Sequence, residues 1–205
     1  MEGVKLLDFW VSLFGLRVRI ALAEKGVEHE YKEEDLWEKS ELLVGSNPVY
    51  KKIPVLIHDG RPGPIRARLC FPKDPYLRAR ARLWADFVDK KIFGCGERIV
   101  KAKGEDKERA KEEMISNMKL LEEALEDEPF FGGEAFRYVD ISLISFASWF
   151  HAFEVEGSFS IMDACPRILE WVKRCKGREC VSKALPDPGA TVEFVGVLKK
   201  QLGIE

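Results

Sequence analysis

The sequence predicts an α/β first part followed by an all-helical remainder, on three observations. Val4 to Gly26 reads as a buried strand that turns sharply into a helix. Lys51 to Gly60 reads as a further strand that closes in an Asp59-Gly60 hairpin turn. Beyond Asp74 the apolar residues recur three and four positions apart, as a succession of helices requires. A chain of 205 residues, 46% hydrophobic and 33% charged, is long enough to bury a core in each part.

The opening strand uses Val4, Leu6, Leu7, Phe9 and Trp10 and turns at Val11-Ser12; the helix after it turns Phe14, Val18, Ala21 and Leu22 inward until Gly26 stops it. Ser12 therefore stands where a strand hands over to a helix N-terminus, and that position has two uses. A serine there caps the helix by accepting a hydrogen bond from its first free amides. Alternatively, unpaired amides and the positive helix end favour an anion, and the hydroxyl holds a bound thiolate. Position alone leaves both open.

Glu28 to Leu36 reads as a charged strand and loop, Leu42 to Val44 as a short apolar piece, and Asn47-Pro48 as a break. Pro54 cannot donate to a sheet ladder, so it belongs at an edge, at a strand start or after a cis bond. Asp74-Pro75 is a cap followed by a first-turn proline. It opens a helix running to about Val100 with Leu77, Ala81, Trp84, Phe87, Val88 and Ile92 on one stripe. A charged helix, Glu105 to Glu126, follows with Ala110, Met114, Met118, Leu121 and Leu125 on its buried side. Phe130-Phe131-Gly132-Gly133 turns the chain into a nearly apolar central helix, Asp140 to Phe150, with Asp140 as its N-cap. Cys165-Pro166 begins a helix with Ile168, Leu169, Val172 and Cys175 inside, and Thr191 to Leu202, closed by Gly203, is the last.

Charge and cysteine usage exclude several functions. The formal net charge is −2 with the two signs interleaved, so the footprint of a nucleic-acid binder is missing and a small-molecule partner is expected. No segment is apolar enough to cross a bilayer and MEGVKLLDFW has no secretory pattern, so no membrane association and a cytoplasmic location are expected. The five cysteines are odd in number and follow no ligand spacing, so neither a disulfide framework nor a metal site is expected.

Several dense motifs are those of one family. FWVSLFGLRVRIALAEKGVEHEYKEEDL, then EKS, then NPVYKKIPVLIHDG resemble the plant tau-class glutathione transferases. The likeness resumes at DPYLRARARLWADFVDKKI and continues through FFGGEAFRYVDISL and FVGVLKKQLGIE. It implies the glutathione transferase fold, a thioredoxin-like α/β domain over residues 1–72 and an all-α domain over residues 73–205. It also implies that Ser12 is catalytic and activates the glutathione thiol. Ser12, Phe14, Lys39, Lys52, Ile53 and Pro54 would bind glutathione, with Pro54 cis and the Ile53 backbone pairing to the cysteinyl amide. Taken alone, Lys39 and Lys52 read as solvated surface lysines. Glutathione would be a co-substrate, with no cofactor. The second substrate would be a small hydrophobic electrophile, in detoxification or stress response, and the assembly a homodimer.

The chain departs from the family after Gly60. There the family runs through a strand to a Glu-Ser pair at a helix N-terminus and a third helix, whereas Arg61 to Pro75 is about a helix too short and has no Glu-Ser. Ile65, Ala67, Leu69 and Phe71 alternate with Arg66, Arg68 and Cys70, so a replacement strand is open, as is a loop flanked by Pro62-Gly63-Pro64. The resemblance assigns the γ-glutamyl carboxylate of glutathione to the missing pair and part of the subunit contact to the missing helix. Weakened glutathione binding, low activity and weaker dimerisation are therefore expected, with Arg66 or Arg68 as alternative donors. Two other readings stand beside the enzyme: a binding protein for apolar ligands on the same scaffold, and an aberrant product that folds poorly. A thiol-transferase would need a cysteine where Ser12 stands.

Overall fold

In the computed structural model, residues 3–63 and 70–204 are described. The chain divides into two compact units, Met1–Cys70 and Phe71–Glu205. In the first, β1 (Val4–Asp8), α1 (Leu13–Glu24), β2 (His29–Glu33), α2 (Glu41–Ser46), β3 (Val55–His58) and β4 (Arg61–Gly63) follow one another. The sheet order is β2-β1-β3-β4, with β1 parallel to β2 and antiparallel to β3, and β3 antiparallel to β4.

Side chains alternate across β1, so Leu6 and Leu7 serve opposite faces. Leu6 packs with Val18 and Leu22 of α1, and Leu7 packs with Leu43 of α2 and with Val55 and Ile57. Partly buried side chains border both faces, Ile53 on the α2 face and Val27 and Leu56 on the α1 face. Among the described residues no α-helix stands between β4 and Pro75. Of the alternation read over Ile65 to Phe71, residues 65–69 lie outside the described residues and Cys70 and Phe71 belong to no strand; the strand after the hairpin is the shorter β4. The hairpin itself is as the Asp-Gly pair requires, with φ of 48° at Asp59 and 72° at Gly60.

Three expectations for this unit are corrected. β1 ends at Asp8, so Phe9 and Trp10 belong to the turn; Ser12 N–H bonds to Phe9 O at 2.9 Å. Phe14 is 38% exposed, whereas Leu13, Gly15, Leu16 and Ile20 are buried, because α1 is covered on more than one side. The short apolar piece after Ser40 is the helix α2, capped by the Ser40 side chain.

The second unit is helical. α3 (Pro75–Phe87) starts on the Asp74 cap and passes through a π-helical turn, Val88–Ile92, into α4 (Phe93–Lys101). The extra residue of a π turn rotates the stripe. Leu77, in the first turn of α3, stands exposed, while Ala81, Ala85, Val88 and Ile92 are buried. α5 (Glu105–Leu125) buries the five residues its periodicity selects. The expected central helix is two: α6 (Tyr138–Ile144) and α7 (Ala147–Gly157), interrupted at Ser145-Phe146. Asp140 is the third residue of α6, not its N-cap, and its Oδ2 accepts from Arg137 N–H at 2.8 Å. The short α8 (Ile161–Ala164) leads to α9 (Pro166–Lys176), where Trp171 is fully buried and Leu169 only partly so. The short α10 (Glu179–Ser182) precedes α11 (Pro188–Leu202), which begins on an Asp187 cap and ends at Gly203 with φ of 65°.

Candidate active site

Sheet topology gathers three connections of the first unit at one end. β1 and β2 run parallel with Asp8 opposite Glu33, and antiparallel β3 enters with Val55 opposite Leu7. The turn carrying Ser12, the loop after Glu33 carrying Lys39, and the Lys52-Ile53-Pro54 segment before β3 therefore lie at the same sheet end. The Ile53-Pro54 bond is cis, and Pro54 stands before the strand, where a missing donor is harmless.

Each connection is held by local hydrogen bonds. Ser12 is extended (φ −62°, ψ 118°), and its Oγ accepts from Gly15 N–H at 3.1 Å. The hydroxyl hydrogen is not used in that bond and is available to donate. Lys39 precedes Ser40, the α2 cap, and Ser40 is tied to the buried Glu34. Its hydroxyl donates to Glu34 Oε1 at 2.8 Å and its N–H to Oε2 at 3.3 Å, while Glu34 N–H donates to Asp8 O at 2.7 Å. Asn47 shapes the third connection, since its Nδ2 donates to Lys52 O at 2.9 Å and its Oδ1 accepts from Tyr50 N–H at 3.3 Å. Lys39 and Lys52 are exposed cations on these fixed loops. Phe14 flanks the turn with the Arg17 guanidinium 5.1 Å from its ring centre.

Beneath the turn lies a charged group the sequence reading passed over. Asp8 is wholly buried, and burial pushes its carboxyl up to about 7 even though Arg19 pulls it down. Arg19 Nε is 3.1 Å from Asp8 Oδ2. Gly15 Cα lies so close that a Cβ there would be 1.7 Å from Asp8 Oδ1. Glu34, a single polar residue in a charged loop, carries no periodic signal, and Asn47 is legible in the sequence only as part of a break. No group of three or more His, Cys, Asp or Glu side chains able to hold a metal is present among the described residues. All five cysteines are free thiols.

The chain is 50% identical over 218 aligned positions to a probable glutathione S-transferase parC of Nicotiana tabacum, covering 100% of this chain and 99% of that one. The chain belongs to the glutathione S-transferase family. The glutathione S-transferase N-terminal domain matches residues 2–62, and the family's C-terminal domain matches residues 105–174. Glutathione S-transferase U25 of Arabidopsis thaliana is 51% identical over 218 positions, covering 100% and 98% of the two chains. Among solved structures, rice GST1 in complex with glutathione superposes with a TM-score of 0.91 at 44% identity, covering 97% of both chains. The tau-class glutathione S-transferase of mango superposes with a TM-score of 0.90 at 34% identity, covering 96% and 98%. Within the family this is a plant tau-class chain with the thioredoxin-like and helical domains of the transferase fold. The two alignments are longer than the 205-residue chain, so these relatives carry residues with no counterpart here. The short connection between β4 and α3 agrees with that difference. No helix among the described residues is long and apolar enough to cross a membrane.

Proposed function

We propose that the chain is a serine-type glutathione transferase that conjugates reduced glutathione to small hydrophobic electrophiles in the cytoplasm, with a weakened glutathione site. The observation that carries the reading is Ser12, whose Oγ accepts from Gly15 N–H at the start of α1. A free thiol near pKa ~8.5 is mostly protonated at neutral pH, and lowering it by about two units requires about 2.7 kcal/mol of preference for thiolate. One charge-assisted hydrogen bond from the Ser12 hydroxyl together with the positive end of a twelve-residue helix is of that size. Ile53 would pair its backbone with the cysteinyl amide, Pro54 would set that edge, Lys39 and Lys52 would hold carboxylate, and Phe14 would flank the tripeptide. No cofactor takes part beyond the co-substrate.

Weakening is proposed from the sequence between Gly60 and Asp74, which has no Glu-Ser pair to receive the γ-glutamyl carboxylate. Arg66 and Arg68, the alternative donors, lie outside the described residues. A carrier of apolar ligands on the same scaffold is the second reading, favoured by that absence alone.

Ser12→Ala is expected to remove conjugation of a generic electrophilic aromatic substrate while lowering stability by only about 1 kcal/mol, the worth of a cap. Turnover equal to wild type in a folded Ser12→Ala protein would exclude the role. The homodimer is expected to be weaker than that of full-length relatives, because the segment that supplies part of the contact is short. Light scattering that shows an undissociated dimer at sub-micromolar concentration would contradict this.

A further inference from the structure

We propose that Glu33 and the Asp8–Arg19 pair are positioning residues for the Ser12 hydroxyl, acting by clamping the Trp10 backbone at both its N–H and its carbonyl. The inference rests on Ser12 as the thiol-activating group and adds what holds it in place. Trp10 is two residues from Ser12 and lies in the turn between β1 and α1. Its N–H donates to Glu33 Oε1 at 3.0 Å, and its carbonyl accepts from Arg19 Nη2 at 2.6 Å. The turn's own bond, from Ser12 N–H to Phe9 O at 2.9 Å, spans that clamped residue.

Each arm of the clamp is itself fixed. Arg19, two helical turns after Ser12, has its Nε 3.1 Å from the carboxylate of Asp8, the last residue of β1. The Tyr31 hydroxyl donates to Glu33 Oε2, and the Arg19 guanidinium lies 5.7 Å from the Tyr31 ring centre. Residues of β1, β2 and α1 thus converge on the backbone of one residue. Stability does not account for such a set, since a buried ion pair is commonly no better than well-packed apolar residues. Placement does, because a hydroxyl that donates to a thiolate loses much of its effect when displaced by about half an ångström. None of the three residues is assigned contact with substrate.

The test uses the full chain and Glu33→Ala, Glu33→Gln, Tyr31→Phe and Ser12→Ala. Glu33 is exposed, so its removal leaves the core intact. Glu33→Ala is expected to lower kcat about tenfold and raise the thiol pKa of bound glutathione by about one unit, with KM for glutathione changed less than about threefold. It is also expected to quicken amide exchange at Ser12 and Gly15 about tenfold, a readout that needs no activity. Glu33→Gln keeps an acceptor for Trp10 N–H and should restore most of each value, and Tyr31→Phe should fall between. If Glu33→Ala quickens exchange at Trp10 alone, with Ser12, Gly15 and the thiol pKa as in wild type, the clamp does not position Ser12 and the proposal is overturned. If Ser12→Ala keeps full activity, the reading of Ser12 fails and the positioning role falls with it. Loss of activity in Ser12→Ala beside an unaffected Glu33→Ala overturns the clamp alone.

Discussion

Gly15→Ala is expected to destabilise the first unit by about 2–4 kcal/mol, although alanine is the better helix former by about 1 kcal/mol. A Cβ at residue 15 would stand 1.7 Å from Asp8 Oδ1 and 2.1 Å from both Cγ and Oδ2. The carboxylate cannot move aside cheaply, because it is wholly buried and its ion pair with Arg19 would be broken. The alternative is a shift of the first turn of α1, which breaks the Gly15 N–H to Ser12 Oγ bond. Either adjustment exceeds the gain in helix propensity. Gly196 in α11 is the control, since a Cβ there meets nothing within 4 Å, and Gly196→Ala should stabilise by up to about 1 kcal/mol. Urea unfolding of the two variants separates the effects. Equal or greater stability in Gly15→Ala would show that the turn accommodates the methyl group.

Asp140→Ala carries the second large effect, an expected loss of about 3–5 kcal/mol in the helical unit. The wholly buried carboxylate accepts from Phe131 N–H at 3.0 Å, Arg137 N–H at 2.8 Å and the Trp171 indole N–H at 2.9 Å. It thus joins the turn before α6, the start of that helix and α9. Alanine would leave three donors unpaired, each costing on the order of 1–3 kcal/mol. Burial also pushes the Asp140 carboxyl up from 3.8 to about 6. The folded form therefore holds a proton that the unfolded chain has released between those values, and stability from this group falls as pH rises through that window. The advantage of wild type over Asp140→Asn should be greatest near pH 4, narrow up to about pH 6 and stay constant above. Chemical denaturation across that range checks both sign and window. A gap that widens with pH would contradict the assignment.

These two sites mark what the sequence does and does not make legible. Periodicity suffices for α5, where Ala110, Met114, Met118, Leu121 and Leu125 are the buried residues, because a charged helix with one apolar stripe has one way to pack. The Asp59-Gly60 turn is legible because its backbone geometry selects its residues. The same rule fails in α1, a helix covered on several sides, where Phe14 fits the stripe yet is 38% exposed, and in the first turn of α3, where Leu77 fits the stripe yet is 46% exposed. The break at Ser145-Phe146 leaves no mark in a run of small and apolar residues. Asp140 marks a helix start, but α6 begins two residues before it, so Asp140 is the third residue of the helix and accepts from the Arg137 N–H that precedes it. At the candidate site, the position of Ser12 at a strand-to-helix turn and of Pro54 before a strand is legible from the residues themselves, whereas Lys39, Lys52 and Ile53 stand out only through their place in a family motif. The carboxylates Asp8, Glu33 and Glu34 gain their roles from strand pairing that brings distant residues together, which no local pattern encodes.

The proposed function rests on a glutathione site organised by Ser12 and weakened after Gly60. Calorimetric titration of glutathione into the natural chain, beside a variant carrying a family-like strand, Glu-Ser pair and helix between Gly60 and Asp74, measures it most directly. A lost charge-assisted hydrogen bond is worth about 1.5–3 kcal/mol, so the natural chain should bind glutathione roughly ten- to a hundredfold more weakly than the restored one. Equal affinity in the two, or no binding in either, would contradict the account.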